Sequence, residues 1–175
     1  MKSKTLSVTF TALFTAVICI LSQISFATPL VPLTFQVLAI ALCGFTLSLK
    51  QSLSAVITYL LLGSFGLPVF SNFKGGVQVI LGPTGGFLIG FIVLALFCGI
   101  SKKITGSVLK ILLCGLGLLL CHLAGVLQFS LVTNNGFIAS FVSASLPFIL
   151  KDVILIVLAF FLSKFIANRL KGIKF

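Results

Sequence analysis

The sequence has almost no acidic residues: Asp152 is the only Asp or Glu among 175 residues, which include 12 Lys or Arg. Chemistry that needs two carboxylate side chains, such as an aspartyl dyad or a glycosidase pair, is therefore excluded. Tryptophan is absent, and tyrosine and histidine occur once each, as Tyr59 and His122. No Walker A, HExxH or GxSxG motif is present, so the motifs of a P-loop ATPase, a zinc protease and a serine hydrolase are all missing.

Charge of either sign is scarce as well. Charged residues make up 7% of the chain and hydrophobic residues 59%, with a mean hydropathy of +1.35, whereas a soluble domain has roughly 25% charged residues. A water-facing surface cannot be built from this composition. The chain is therefore expected to be an integral membrane protein.

A membrane-spanning helix needs about 20 mostly apolar residues. Pro29 and Pro32 divide the first long uncharged stretch, because a helix would have to stop there. The pattern predicts an all-α membrane protein, with residues 1–175 forming one six-helix substrate-binding domain. The six predicted spans are Leu6–Phe26, Leu33–Leu49, Ser52–Leu67, Pro83–Ile100, Ile104–Leu127 and Phe148–Ala167.

The first span also has features of a secretory signal peptide. Lys2 and Lys4 precede it, and Ser25-Phe26-Ala27 resembles a cleavage site. Its apolar stretch is longer than the usual 7–15 residues, and further spans follow it. We expect a retained helix, with cleavage as the alternative.

The basic residues sort to one side of the predicted topology. If the N-terminus is cytoplasmic, ten fall inside: Lys2, Lys4, Lys50, Lys102, Lys103, Lys110, Lys164, Arg169, Lys171 and Lys174. Only Lys74 and Lys151 fall outside. This distribution follows the positive-inside rule, so it predicts cytoplasmic termini and gives no indication of nucleic-acid binding.

The charged residues on the outer side indicate where a binding site could be. Lys151 and Asp152 lie near the outer end of the sixth span, and an ionisable residue at membrane depth usually faces a bundle interior or a wet cavity. These residues and Lys74 predict a polar pocket that opens outward. The alternative is an interfacial Lys–Asp pair that only anchors the helix end.

Two segments between spans contain many loop-forming residues. The stretch 63–76 is rich in Gly, Pro and Asn, yet it also contains Phe65, Phe70 and Phe73. Non-helical backbone at membrane depth is tolerated where protein or a water-filled cavity covers it. We therefore expect an outer lid or plug between the third and fourth spans. The segment 129–147 is a candidate for a second one.

Small residues at four-residue spacing indicate close helix packing. Gly82, Gly86 and Gly90 give the fourth span such a face, and Ala12 and Ala16 give one to the first. Packing within the chain is the simplest explanation for both. A face that contacts another molecule is more plausible for the first helix, which is peripheral in sequence.

The five cysteines lie in apolar runs without a CxxC pair, as expected for small buried side chains. Cys121 and His122 are adjacent on the fifth span, so their directions differ by about 100°. That difference argues against a nucleophile pair or a metal site. A hydrogen-bonded helix histidine is the expected role of His122, with no metal and no cofactor.

Three strings are similar to a known family: Val31-Pro32-Leu33-Thr34-Phe35-Gln36, Gly66-Leu67-Pro68-Val69-Phe70, and a ten-residue string from Gly82 to Phe91 that reads GPTGGFLIGF. With six spans and Leu146-Pro147-Phe148 before an intramembrane Asp, the chain resembles the BioY family. Members of that family are biotin-binding S components of energy-coupling factor (ECF) transporters. The resemblance covers essentially the whole chain.

The resemblance implies biotin uptake across a bacterial cytoplasmic membrane by a capture subunit that is not itself an enzyme. It implies docking on a transmembrane coupling subunit driven by two cytoplasmic ATPases. The docking face would be the AxxxA pattern of Ala12 and Ala16. A pocket beneath an outer loop is also implied.

One position departs from the family. The sixth helix of the family has a lysine three residues after the aspartate, where this chain has Leu155, and a lysine instead precedes the aspartate as Lys151. On a helix, these two positions differ by about 40° in azimuth and about 6 Å in height. A lysine side chain can span that gap, so we hypothesise that Lys151 supplies the missing ammonium.

The shape of biotin suggests roles for the other polar residues. Asp152 can accept from the ureido N–H groups, Asn72 can donate and accept, and Lys151 or Lys74 can pair with the tail carboxylate. The N-terminus of the fourth span at Pro83 could face an anion or a carbonyl. The remaining outer polar residues, with helix packing as the alternative, are Thr34, Gln36 and Tyr59.

Other functions stay open at this point. The same scaffold could bind another small anionic vitamin or carboxylate. A membrane enzyme built on Cys121 or His122 and a structural membrane protein without a ligand are the remaining alternatives.

Overall fold

The computed structural model describes residues 2–26 and 31–169. Four residues used above, Ala27, Pro29, Lys171 and Lys174, lie outside this part of the chain. The described elements are α1 (Lys2–Gln23), β1 (Ser25–Phe26), β2 (Leu33–Thr34), α2 (Gln36–Thr46), α3 (Leu49–Ser64), α4 (Val77–Leu81), α5 (Gly85–Ser101), α6 (Ser107–Thr133), α7 (Phe137–Ala144) and α8 (Leu146–Arg169).

The helical membrane architecture expected from composition is confirmed. Three helices are long and apolar enough to cross a membrane: Lys4–Gln23 of α1, and helices α6 and α8. Helix α5 is a shorter apolar helix of 17 residues. Leucine and phenylalanine side chains are exposed along the outer faces of α6 and α8, as is expected where lipid replaces water.

Helix α2 is shorter than predicted. It has 11 residues, which corresponds to about 16 Å, and a hydrocarbon core is about 30 Å thick. Its predicted first residues, Leu33 and Thr34, instead pair as β2 with β1. Ser48 begins α3 through a capping box with Gln51, so α3 begins three residues before the predicted Ser52.

Helix α2 lies at the centre of the bundle. It packs on α8, α5 and α1, and nine of its residues are buried. The core around it includes Ile40, Val56, Leu94 and Ile156. A short, buried helix places its N-terminal residues deep between the longer helices, and this position is where the site forms.

The glycine face predicted for the fourth span is present between α5 and α6. A Cβ at Gly86 would meet the carbonyl oxygen of Ala124, and one at Gly90 would lie 2.8 Å from Cys121 Cα. These two glycines therefore allow the backbones to touch. Gly82 does not belong to this face, because it lies before α5 against the carbonyl oxygens of Gln78 and Val79.

The second predicted loop, 129–147, is wrong. Helix α6 continues to Thr133, Asn134 takes a left-handed conformation (φ 53°), and α7 follows at Phe137. Pro147 is the second residue of α8, where the missing N–H has no intrahelical partner to lose. The fourth helix likewise begins at Gly85 rather than Pro83.

The segment 65–76 is non-helical apart from a 3₁₀ turn at Ser71–Phe73. Two residues at the end of α1 hold it. The Gln23 side chain donates to Phe70 O (3.0 Å) and accepts from Phe73 N (2.9 Å), and the Ser22 hydroxyl donates to Val69 O. Within this segment, the Phe70 side chain is buried and packs against the Tyr59 ring.

Candidate functional site

A cavity lies between the start of α2, the first turns of α5, the second half of α6 and the start of α8. Its volume is about 60 Å³, which is room for a few water molecules. The lining residues are Val31, Pro32, Thr34, Gln36, Val37, Phe87, Leu88, Phe91, Leu118, Cys121, His122, Ala144, Phe148, Lys151 and Asp152. The walls are therefore apolar and aromatic, with a few polar groups at one place.

Lys151 and Asp152 form an ion pair at the edge of this cavity. Lys151 Nζ lies 2.7 Å from Asp152 Oδ1, and the Asp152 side chain is only 6% exposed. The ammonium also donates to Thr34 O at 2.7 Å, so it joins α8 to the chain just before α2. The contact with Oδ1 lacks hydrogen-bond geometry, so that buried oxygen has no hydrogen-bond partner among the residues that the structure describes.

The other carboxylate oxygen faces α6. His122 Nε2 lies 3.2 Å from Asp152 Oδ2, and His122 Nδ1 lies 2.8 Å from the Ser145 hydroxyl. All three residues are buried. The single histidine of the chain is thus hydrogen-bonded on both ring nitrogens.

A second polar group belongs to the start of α2. The Thr34 hydroxyl donates to Gln36 Oε1 at 3.0 Å, and Gln36 Nε2 donates to the Tyr59 hydroxyl at 2.5 Å. Thr34 and Gln36 line the cavity. Tyr59 is fully buried behind them, so it positions the Gln36 amide and does not itself reach the cavity.

Asn72 and Lys74, the two loop residues predicted for the pocket, are not among its lining residues. Both are exposed. Asn72 has a positive φ of 59° and accepts from the Ser25 hydroxyl at 2.9 Å. The structure therefore separates the predicted residues into a buried set and a surface loop.

Ala12 and Ala16 are both exposed on α1. Val8 and Ile20 continue the same four-residue spacing and are also exposed, at 68% and 62%. A groove of about 380 Å³ between α1 and α3 includes Ala12 and several hydroxyl side chains. This face of α1 is not covered by the described part of the chain.

Sequence reasoning missed several members of the site. His122 was expected to be a hydrogen-bonded helix histidine, which it is, but it was not predicted to belong to the site. Ser145 and Phe148 were placed in or beside a presumed loop. One signal was available for His122: it is the only histidine and Asp152 the only acidic residue of the chain, both lie within apolar segments, and such residues usually pair. Only the fold brings their two helices together.

Cys121 does not form a reactive pair with His122. Its thiol lies 3.5 Å from Phe87 O, on the side that faces α5. Among residues 2–26 and 31–169, no group of three His, Cys, Asp or Glu side chains could hold a metal ion. What the site offers is a set of hydrogen-bonding groups at the end of an aromatic cavity.

Comparison with known proteins finds relatives that match nearly the whole chain. The family model described as "BioY family" matches residues 1–172. A "Probable biotin transporter BioY" of Pyrococcus horikoshii is 37% identical over 98% of this chain and 99% of its own length. A "Biotin transporter BioY" of Thermotoga maritima is 39% identical over 93% of this chain and 94% of its own.

A solved structure has the same fold. It is the crystal structure of the S-component for biotin from an ECF-type ABC transporter, with a TM-score of 0.86 and 26% sequence identity. The match covers 95% of this chain and 93% of that chain. The similarity therefore extends over the whole bundle and includes the helices that form the cavity.

Proposed function

The chain belongs to the BioY family, and from this membership we propose that it takes up biotin as the membrane-embedded capture subunit of an ECF-type transporter. Its relatives are named as biotin transporters, and its structural neighbour is the S-component for biotin. The observation that carries the proposal within the chain is the buried Oδ1 of Asp152, an acceptor without a hydrogen bond beside an apolar cavity.

The site suits the ring end of biotin. A carboxylate oxygen accepts from a ureido N–H, and the hydroxyl and amide of Thr34 and Gln36 can exchange partners with a ureido group. Phe87, Phe91 and Phe148 line the cavity and provide apolar surface for the bicyclic ring.

The charged residues indicate how the two ends of biotin are oriented in the site. Lys151 compensates Asp152 within the buried set, so the described cavity has no unpaired positive charge for a carboxylate. A neutral head group fits there. The tail carboxylate of biotin then lies toward the outer surface, where Lys74 and Asn72 are exposed on the segment 65–76. That segment acts as the lid.

Lys151 takes the place of the lysine that the family has three residues after the aspartate. Leu155, at that later position, is 5% exposed and packs in the hydrophobic core. The ammonium of Lys151 instead reaches Asp152 Oδ1 from the preceding position. Its role is to place a counter-charge beside Asp152 and to hold Thr34 just before α2.

The bundle crosses the membrane six times in this proposal, through α1, α2 with its flanking extended residues, α3, α5, α6 and α8. Both termini are cytoplasmic, since the ends rich in Lys and Arg then face the inside. The exposed alanines of α1 contact a transmembrane coupling subunit, and two cytoplasmic ATPases supply the energy. The chain itself needs no cofactor.

Titration of the purified protein with biotin tests the proposal. We expect tight, saturable binding that is lost in Asp152→Ala. Competition with other small anionic vitamins separates a biotin site from a site for another carboxylate. Absence of tight biotin binding, or biotin binding that survives Asp152→Ala, contradicts the proposed function or the proposed site, respectively.

A further inference from the structure

His122 is a buried polar side chain that the proposed function leaves without a role. It lies on α6, and its imidazole connects Ser145, between α7 and α8, with Asp152 on α8. The ring is packed edge-on against Phe87, with ring centroids 5.7 Å apart and an interplanar angle of 85°. Contacts with the junction of α7 and α8, with α8 and with one aromatic ring of α5 therefore fix the imidazole in place.

The partners determine which ring nitrogen carries the proton. Asp152 is paired with the ammonium of Lys151, and an ionised carboxylate can only accept hydrogen bonds. His122 Nε2 must then donate to Oδ2. In the neutral ring, Nδ1 is the acceptor, so the Ser145 hydroxyl donates to it.

This arrangement controls the orientation of the carboxylate. Oδ2 is held by His122 at 3.2 Å, and Oδ1 is left as the oxygen without a hydrogen bond. Without the imidazole, a second buried oxygen would lose its partner, and the carboxylate could rotate about its own bond. A side chain that fixes a ligand-binding group in this way commonly changes affinity through the orientation of that group.

We propose that His122, with its tautomer set by Ser145, is a positioning residue that presents Asp152 Oδ1 to an N–H donor of the bound ligand. This inference rests on the proposed function, because it takes the ureido N–H of biotin as that donor. If the proposal holds, His122 affects the affinity for biotin, which a side chain that only packs would not do.

Four variants test the proposal with biotin as the probe. His122→Leu fills the same space with an apolar side chain and removes the donor, and we expect biotin affinity to fall about tenfold to a hundredfold. His122→Gln restores an N–H donor and should recover most of the affinity. Ser145→Ala should weaken binding by a smaller factor. Ser140→Ala is the matched control, because its buried hydroxyl forms no hydrogen bond within the described part of the chain.

A ligand comparison separates positioning from stability. Biotin with both ureido nitrogens methylated lacks the N–H that Asp152 would accept. If His122 acts through Asp152 Oδ1, His122→Leu should lower affinity for biotin and change affinity for the methylated analogue little. An equal loss for both ligands means that the variant only damages the fold, and this result overturns the proposal.

The tautomer can be observed directly. His122 is the only histidine, so protein labelled with ¹⁵N-histidine and lacking a histidine tag gives signals from this ring alone. We expect a protonated Nε2 and a bare Nδ1 in the wild type, and a mixture in Ser145→Ala. A bare Nε2 contradicts donation to Asp152 and overturns the proposal.

Failure of this inference is distinguishable from failure of the proposed function. Wild-type protein that does not bind biotin refutes the function itself. Wild-type binding that is lost in Asp152→Ala but retained at full strength in His122→Leu leaves the function standing and overturns the role of His122. Melting temperatures of all variants show which of them are folded.

Discussion

The ammonium of Lys151 lies 2.7 Å from Oδ1 of Asp152, although the two are consecutive residues of one helix. Consecutive side chains on an α-helix diverge by about 100°, so the lysine must bend back toward the carboxylate. Its second contact, with Thr34 O, fixes that bend. The pair is thus held by the chain just before α2 as well as by α8, which favours a specific pair over a solvated helix end.

The first prediction concerns this pair. Lys151→Met should lower biotin affinity by about tenfold or more, because it leaves a buried carboxylate without its counter-charge. Asp152→Asn should lower affinity further, since it replaces the acceptor itself. Isothermal titration measures both effects. Lys164→Met, near the other end of α8, is the control and should bind as the wild type does.

A particular result would contradict the role of Lys151. If Lys151→Met binds biotin normally while Asp152→Asn does not, the lysine only anchors the helix end. That outcome corresponds to the interfacial pair that the sequence left open.

The sequence predicts much of the bundle because apolar length and charge placement are local properties. Helices α6 and α8 cover most of the fifth and sixth predicted spans, and only their first and last residues differ. Helix α2 was predicted too long because its ends depend on partners elsewhere: strand β1 takes Leu33 and Thr34. The helix in 137–144 was missed because the whole segment 129–147 was considered a candidate loop. In the structure, Asn134-Asn135-Gly136 is only a short break between α6 and α7.

The site was only partly predictable for a similar reason. Asp152 and Lys151 are conspicuous as charges in an apolar chain, and Thr34 and Gln36 lie in a recognisable string. His122 and Ser145 are 23 positions apart, and neither has a motif. Their meeting depends on how α6 packs against the junction of α7 and α8, which residue spacing does not encode.

The second prediction concerns the contact between α5 and α6. Gly86→Ala should destabilise the protein by about 1–3 kcal/mol, because the added methyl meets backbone at Ala124 and the helices must separate. Gly115→Ala is the matched control on α6, since a Cβ there meets nothing within 4 Å. It should be neutral or stabilising by up to about 1 kcal/mol. Thermal unfolding in detergent measures both, and equal melting temperatures would contradict the close-packed interface.

The third prediction concerns the segment 65–76. Gln23→Leu removes the hydrogen bonds that tie Phe70 and Phe73 to the end of α1. If this segment is the lid, biotin should dissociate faster, with a smaller change in the association rate. Stopped-flow measurements give both rates. Gln78→Leu is the control, because its amide bonds Gly75 O within the same part of the chain; faster release in both variants would argue against a tie through α1.

The final prediction concerns the exposed face of α1. Ala12→Trp places a large side chain on a surface where Ala16 is also exposed, and no core contact needs to change. If a coupling subunit docks there, biotin uptake by cells that contain the whole transporter should fall strongly, while purified protein binds biotin as before. Leu13→Trp is the matched control, because Leu13 is 54% exposed and points about 100° away around the helix. Equal uptake by the two variants would show that docking uses another face, and loss of binding in Ala12→Trp would show that the groove between α1 and α3 serves the site itself.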